Sequence, residues 1–189
     1  MMSVKVFFMR HGQSVANLQN YFYNDEDAPL TPLGCEQARE AGRKLKESGI
    51  KFDAIYCSTY ERARETCRLV LEQMGIDEKS VIIDKRIEER KFDGLIGKTA
   101  SDEHYRELFR YDSGRSEEDG VETLPALEER AKDFIDTLKE KHDGENVLIF
   151  SHGCFGMAFY VVLKGRPKSG SYHDDLHLLK NCEVYETII

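Results

Sequence analysis

Apolar residues fall along this chain in two alternating patterns. Short, nearly continuous runs occur at residues 4–9, 52–57, 81–83, 146–150 and 181–188. Runs of this length, rich in Val, Ile and Phe, predict strands, and the most apolar of them predict strands covered on both faces. Between these runs, apolar positions recur every three or four residues instead. Leu33, Ala38, Ala41 and Leu45 predict a helix to about Glu47, with Thr31 as its cap, Pro32 at its first position and Ser48-Gly49 as its stop. Ala63, Cys67, Val70, Leu71 and Met74 predict a second helix over residues 60–74, stopped by Gly75. Leu127, Ala131, Phe134, Ile135 and Leu138 predict a third over 124–141, capped by Thr123 and followed by Gly144. Residues 154–163 predict a helix directly after the fourth strand, and Ser101 caps a short one reaching Phe109.

The connecting segments differ in kind. Residues 13–27 are polar with scattered aromatics, which predicts a long loop or a loop holding a short helix. Residues 86–99 carry many charges and turn points at Asp93-Gly94 and Gly97, a density without a core role, so this segment is expected to line something. Residues 111–120 read as a mobile surface loop and 165–170 as a turn-rich connection. Strand and helix alternate, which predicts an α/β three-layer sandwich with a mostly parallel central sheet flanked by helices. No repeat, low-complexity run or linker divides the chain, so residues 1–189 are expected to form one domain.

Composition narrows the function. A net charge of −8 disfavours nucleic acid or an acidic membrane surface as the partner, while leaving room for a local positive pocket. No apolar run spans a bilayer and no secretory leader is evident. The five cysteines are odd in number, widely spaced and without a Cys-x-x-Cys pair, which suggests a reducing, cytoplasmic compartment and no disulfide framework. No His-x-x-x-His or carboxylate–histidine pair stands at metal-ligand spacing, so no metal is expected. The sequence says nothing of assembly.

The chemistry concentrates where strands end. The first strand runs into Arg10-His11-Gly12, and the fourth runs into Ser151-His152-Gly153. Arg and His are costly to bury unpartnered, and glycine permits a sharp turn or a close ligand. In a parallel sheet the two strand ends share one edge, where ligands bind in open α/β folds. Two histidines separated by most of the chain can meet there. The second strand ends at Ser58-Thr59, and the helix after it carries Arg62 in its first turn, where backbone N–H groups and a guanidinium together suit a phosphate. Arg64 and Arg68 on that helix read as ordinary exposed arginines.

With these residues placed, the chain resembles the histidine phosphatase superfamily, which includes the cofactor-dependent phosphoglycerate mutases. The matching pieces are Arg10-His11-Gly12 with Asn17, Leu30-Thr31-Pro32-Leu33-Gly34, Ser58 with Arg62-Ala63 and Thr66, Ile87-Glu88-Glu89-Arg90 with Gly94 and Gly97, Ser151-His152-Gly153, and Asn181-Cys182. They follow the family's order and cover nearly the whole chain. The resemblance implies a phosphoglycerate mutase-like fold and a small phosphorylated substrate, without metal or cofactor. It implies that His11 takes the phosphoryl group, that Arg10, Arg62 and His152 hold its oxygens with Asn17 assisting, and that Glu89 is the acid and base. Glu88 is the alternative acid, since the two are adjacent; the spacing from Ile87 favours Glu89. Arg90 is implied as a contact to a substrate carboxylate or second phosphate, although Phe92 stands where mutases have tyrosine. His104, Tyr105 and Arg106 are candidates for shaping specificity, whereas His142, His173 and His177 read as surface or structural residues.

The leading expectation is a metal-independent phosphomonoester phosphatase. Only 62 residues separate Glu89 from His152, short for a mutase of this kind, and the chain stops with its last strand. The alternatives are a phosphoglycerate mutase-type phosphotransferase and a non-catalytic binding member of the fold. An acidic run at residues 116–119 would disfavour a highly anionic substrate if it faced the pocket.

Overall fold

The computed structural model describes residues 3–19, 22, 28–99, 101–172, 176 and 179–189. Strand β1 (Lys5–Arg10) has four successive buried residues, Val6 to Met9, which alternate between two cores. Val6 and Phe8 face one, and Phe7 and Met9 face the other. Strands β2 (Ala54–Cys57) and β4 (Asn146–Ser151) divide their side chains in the same way. A strand buried on both faces has no room for polar alternation, which is why these segments read as continuous apolar runs.

Five strands form one sheet in the order β3-β2-β4-β1-β5, with β3 at Val81–Ile83 and β5 at Val184–Ile188. The β1–β4, β2–β4 and β2–β3 pairs are parallel, and β5 runs antiparallel to β1 at the edge. Helices α2 (Pro32–Ser48) and α3 (Glu61–Met74) cover one face. Helices α6 (Leu124–Lys141) and α7 (Gly153–Lys164) cover the other, completing the expected three-layer α/β sandwich. The short helices α1 (Val15–Gln19), α4 (Asp102–Glu107) and α5 (Arg115–Glu118) lie in the connections.

The predicted helix signals act as read. The Thr31 side chain accepts the Gly34 N–H at 3.0 Å with Pro32 at the first turn, and Gly49 closes α2 in the left-handed region at φ 69°. Gly75 closes α3 in the same way at φ 75°. Arg64 and Arg68 are exposed, as expected.

Three expectations need correction. The presumed surface loop at 111–120 contains α5, and its Ser116 is buried. The last strand begins at Val184 rather than 181, because Cys182 turns the chain with φ 57°. The segment after β3 does hold a core charge: Arg90 is 2% exposed. Most of the polar stretch after α1, together with His173 and His177, lies outside the described residues.

Gly12, in the turn after β1, and Gly34, in the first turn of α2, meet where no side chain fits. A Cβ on Gly12 would sit 2.5 Å from the Gly34 carbonyl oxygen, and a Cβ on Gly34 would land on the Gln13 carbonyl. The turn after β1 and the start of α2 therefore touch backbone to backbone. Gly34→Ala should push these segments apart, lower stability by about 2 kcal/mol and shift the urea midpoint accordingly. An unchanged midpoint would mean that the contact relaxes without loss.

Candidate active site

The parallel register of β1 and β4 sets Arg10 beside Ser151. The next residues, His11 and His152, then leave adjacent strands at the same edge. Their rings pack edge to face with centroids 5.2 Å apart. β2 pairs on the other side of β4 and delivers Ser58, whose hydroxyl lies 2.8 Å from His152 Nε2. Helix α3 begins just beyond and aims Arg62 inward.

Hydrogen bonds fix the state of the His11 ring. Nδ1 lies 2.7 Å from the Gly12 carbonyl, which can only accept, so Nδ1 carries the proton. Nε2 accepts the Arg62 Nε–H at 3.0 Å, so its lone pair is in use as a base. Burial holds His11 well below its ordinary pKa of 6.5, and the Arg62 and Arg10 charges push it further down. His152 is lowered first by burial and then by Arg62, His11, Arg130 and Arg10. Two neutral rings thus lie against two guanidinium groups.

Thr66 supports the turn: its hydroxyl accepts the Gly12 N–H at 3.0 Å and donates to the Arg62 carbonyl at 2.7 Å. Asn181 supports it from the other side, its Nδ2 donating to the His11 carbonyl at 3.0 Å and to Asn17 Oδ1 at 3.2 Å. Asn17 Oδ1 also accepts the Ser14 N–H. Arg10 Nη1 donates to the Leu179 carbonyl at 2.6 Å. Of three buried polar atoms that find no hydrogen-bond partner among the described residues, one, Arg115 Nε, lies on α5, and two, Arg10 Nε and His152 Nδ1, lie in this group. Buried donors without partners are rare, and here they belong to two of the groups expected to hold an oxyanion.

Glu89 enters from the segment after β3. Its Oε1 accepts the N–H groups of Arg90, Cys154 and Phe155 at 2.9–3.1 Å, and its Oε2 meets the Cys154 N–H at 3.3 Å. The carboxylate therefore sits on the first turn of α7, immediately after His152, where the helix dipole favours a negative group. Glu88 is placed differently: its Oε1 takes the Thr59 hydroxyl at 2.5 Å. Burial raises the Tyr105 hydroxyl out of the ordinary tyrosine range, with Cys154 and Glu89 adding to the effect and Arg10 opposing it, which puts this ring beside the same site. Tyr105 and Phe92 flank Phe22, at 6.2 and 5.0 Å between centroids.

Arg90 is not brought into this group, which corrects the expectation of a substrate contact. Its Nε donates to the Glu122 carbonyl, Nη1 to the Leu108 carbonyl and Nη2 to the Ser116 hydroxyl, all at 2.7–2.8 Å. Phe92 and Phe109 cover its face. His104 is paired with Asp119, which also meets Arg115, so that part of the acidic run is tied to its own segment. His142 bridges Tyr56 and Glu145, a structural role. The supports Thr66 and Asn181 appeared in the sequence only as motif members, and Arg130, which reaches the Glu89 segment from α6, carried no signal at all.

Both neutral histidines link stability to pH. The unfolded rings protonate near 6.5, whereas the native rings resist until well below it. Above 6.5 neither contributes a pH dependence; as pH falls through that value, the unfolded chain gains protons that the native chain does not, and stability drops. Each ring should contribute up to about 1.4 kcal/mol per pH unit below the unfolded pKa. Urea titrations between about pH 7.5 and 5.5 should show His11→Asn with a shallower decline than wild type; parallel declines would contradict the neutral buried ring.

Comparison with known proteins agrees with this geometry. Residues 6–188 match the family model of the histidine phosphatase superfamily (branch 1). A 2,3-bisphosphoglycerate-dependent phosphoglycerate mutase of Methylorubrum extorquens is 36% identical over 163 residues, covering 82% of this chain and 77% of that protein. The fold is similar to that of phosphoglycerate mutase from Bacillus anthracis, with TM-score 0.78, 24% identity and coverage of 100% and 88% of the two chains. It is likewise similar to phosphoserine phosphatase from Entamoeba histolytica in complex with 3-phosphoglyceric acid, with TM-score 0.75, 23% identity and coverage of 97% and 89%. Among the described residues no helix is long and apolar enough to cross a membrane. With the family model matched over residues 6–188 and a relative 36% identical over 82% of its length, the chain belongs to the histidine phosphatase superfamily, branch 1.

Proposed function

We propose that this protein hydrolyses small phosphomonoesters through a phosphohistidine on His11. The observation that carries the reading is the state of the His11 ring, protonated at Nδ1 by its bond to the Gly12 carbonyl and basic at Nε2. Nε2 attacks phosphorus, the N–P bond forms and the bond to the ester oxygen breaks. Nδ1 keeps its proton throughout, and the Gly12 carbonyl meets the positive charge that develops on the ring. The Arg62 N–H now directed at Nε2 passes to a phosphate oxygen as phosphorus takes its place. Arg10 Nε and His152 Nδ1 supply further donors, the latter when the Ser58 hydroxyl donates a hydrogen bond to Nε2 and the ring carries its proton on Nδ1. Such prearranged donors in a buried site are what phosphoryl transfer needs, because it is mostly positioning and charge stabilisation.

Glu89, carrying the proton taken from water in the preceding turnover, gives it to the departing alkoxide and then takes another from the water that cleaves the N–P bond. Oε1 is anchored by three backbone N–H groups, so Oε2 is the oxygen that exchanges the proton. Glu88, already bonded to Thr59, is the weaker choice. The scheme uses side chains and backbone groups of this chain and one water.

Transfer between phosphoglycerates is the second reading, and the name of the 36%-identical relative favours it. Two observations support hydrolysis instead. Arg90 spends its guanidinium on Leu108, Ser116 and Glu122, and the position of a mutase tyrosine holds Phe92, packed on Phe22. A non-catalytic platform is disfavoured by the joint presence of His11, Arg62, Glu89 and His152.

Release of phosphate from an aryl phosphate should survive a chelator and fall at least about a thousandfold in His11→Ala. Enzyme quenched in alkaline denaturant should carry an alkali-stable, acid-labile phosphoryl group, absent from that variant. Efficient transfer to a phosphoglycerate acceptor with negligible phosphate release would establish the mutase reading in its place.

A further inference from the structure

Arg130 and Glu122 stand outside the group described above and touch none of its reacting atoms, yet their bonding converges on the segment that carries Glu89. Arg130 projects from α6 and is largely buried, its side chain 18% exposed against 12% for Glu122. All five of its N–H bonds are engaged. Two form a fork on the Glu122 carboxylate, Nε to Oε1 at 2.7 Å and Nη2 to Oε2 at 2.8 Å. The other three go to carbonyls on one stretch of backbone: Nη1 to Arg86 at 2.7 Å and Glu88 at 2.8 Å, and Nη2 to Glu89 at 3.0 Å. Glu122 adds its own bonds to that stretch. Its Oε2 accepts the Lys91 N–H at 3.1 Å, and its N–H donates to the Lys91 carbonyl at 2.8 Å.

The carbonyl of Glu89 itself is thus held, along with the backbone on either side. Only a guanidinium has the donors to grip three carbonyls and a carboxylate at once. A buried pair of this kind is a poor source of net stability, since the desolvation cost of both charges offsets their attraction. Its geometry points to placement instead. We infer that Arg130, braced by Glu122, is a positioning residue that sets the Glu89 carboxyl against the leaving group. The inference rests on the reading of Glu89 as the acid.

The test separates the two claims by leaving group. Nitrophenolate departs without a proton, whereas an alkoxide needs one, so loss of the acid should spare 4-nitrophenyl phosphate and penalise benzyl phosphate. The specificity constant kcat/KM reports steps through loss of the leaving group, apart from cleavage of the phosphohistidine. Glu89→Gln sets the scale. Arg130→Lys keeps the charge but cannot reach all three carbonyls; it should lower kcat/KM for benzyl phosphate by about 10- to 100-fold and for 4-nitrophenyl phosphate by less than about threefold. Glu122→Gln, which weakens the fork but leaves the helix intact, should move in the same direction by a smaller factor, and carries the test should Arg130→Lys not fold. Equal losses on both esters, or none, in variants whose Glu89→Gln counterpart does discriminate would overturn the brace alone. A Glu89→Gln enzyme that does not discriminate would overturn the acid assignment, and the brace with it. A wild type that turns over neither ester would overturn the hydrolase reading and everything placed upon it.

Discussion

The register between β1 and β4 is the constraint on which this site depends. Arg10 pairs with Ser151, so His11 and His152 leave the sheet side by side. A slip of one residue would exchange the two faces of a strand, sending Phe7 and Met9 into the core now filled by Val6 and Phe8. Because both faces are buried, that exchange carries a heavy packing penalty. The apolar layers therefore fix the chemistry: two residues distant in sequence are held within one ring contact by side chains that take no part in the reaction.

What the sheet delivers is a pocket with a deliberate imbalance. Two arginines and two neutral histidines share a buried edge, and burial together with the arginine charges keeps both rings uncharged. The same charges that make protonation of His11 unfavourable favour an anion. On the proposed reading, an incoming phosphate answers the donors that find no partner among the described residues, Arg10 Nε and His152 Nδ1, and offsets the guanidinium charges. On that reading nucleophile and binding site are one electrostatic arrangement, since whatever depresses the pKa of the His11 ring also attracts the anion it would attack.

The parts of this site that were legible in the sequence are those bound to a structural boundary. His11 and His152 follow strands, Arg62 follows a strand–helix junction, and Gly49 and Gly75 end amphipathic helices; in each case hydrophobic periodicity marks the place and the polar residue stands out against it. Arg90 was misread because its neighbours in sequence say where its Cα lies and nothing about its guanidinium, which turns to Leu108, Ser116 and Glu122. The charge density of residues 86–99 read as having no core role for the same reason, since a buried arginine satisfied by carbonyls has no signature in composition. Arg130 sits on an amphipathic helix among surface charges, and only the fold brings it 41 residues along the chain to the Glu89 carbonyl. Asn181 was placed in a strand because the turn at Cys182 depends on a left-handed residue that is not glycine.

Arg90 and Arg130 together make the segment between β3 and α4 something other than a loop. Arg90 ties it to the connection that contains α4 and α5 through Leu108 and Ser116, and Arg130 ties it to α6. Both arginines meet at Glu122, one on its carbonyl and the other on its carboxylate. Gly94 packs so closely under Asp119 and Gly120 that no side chain fits between them. The carboxylate at the head of α7 is therefore mechanically continuous with residues 101–120, which also supply Tyr105 to the rim of the site. A change of sequence in that connection alters the surroundings of the substrate and the support of Glu89 at once, because one set of hydrogen bonds serves both. With Glu89 as the proposed acid, specificity and acid catalysis would not vary independently in this arrangement: a substitution that enlarges the pocket while loosening Leu108 or Ser116 also loosens the segment that holds Glu89.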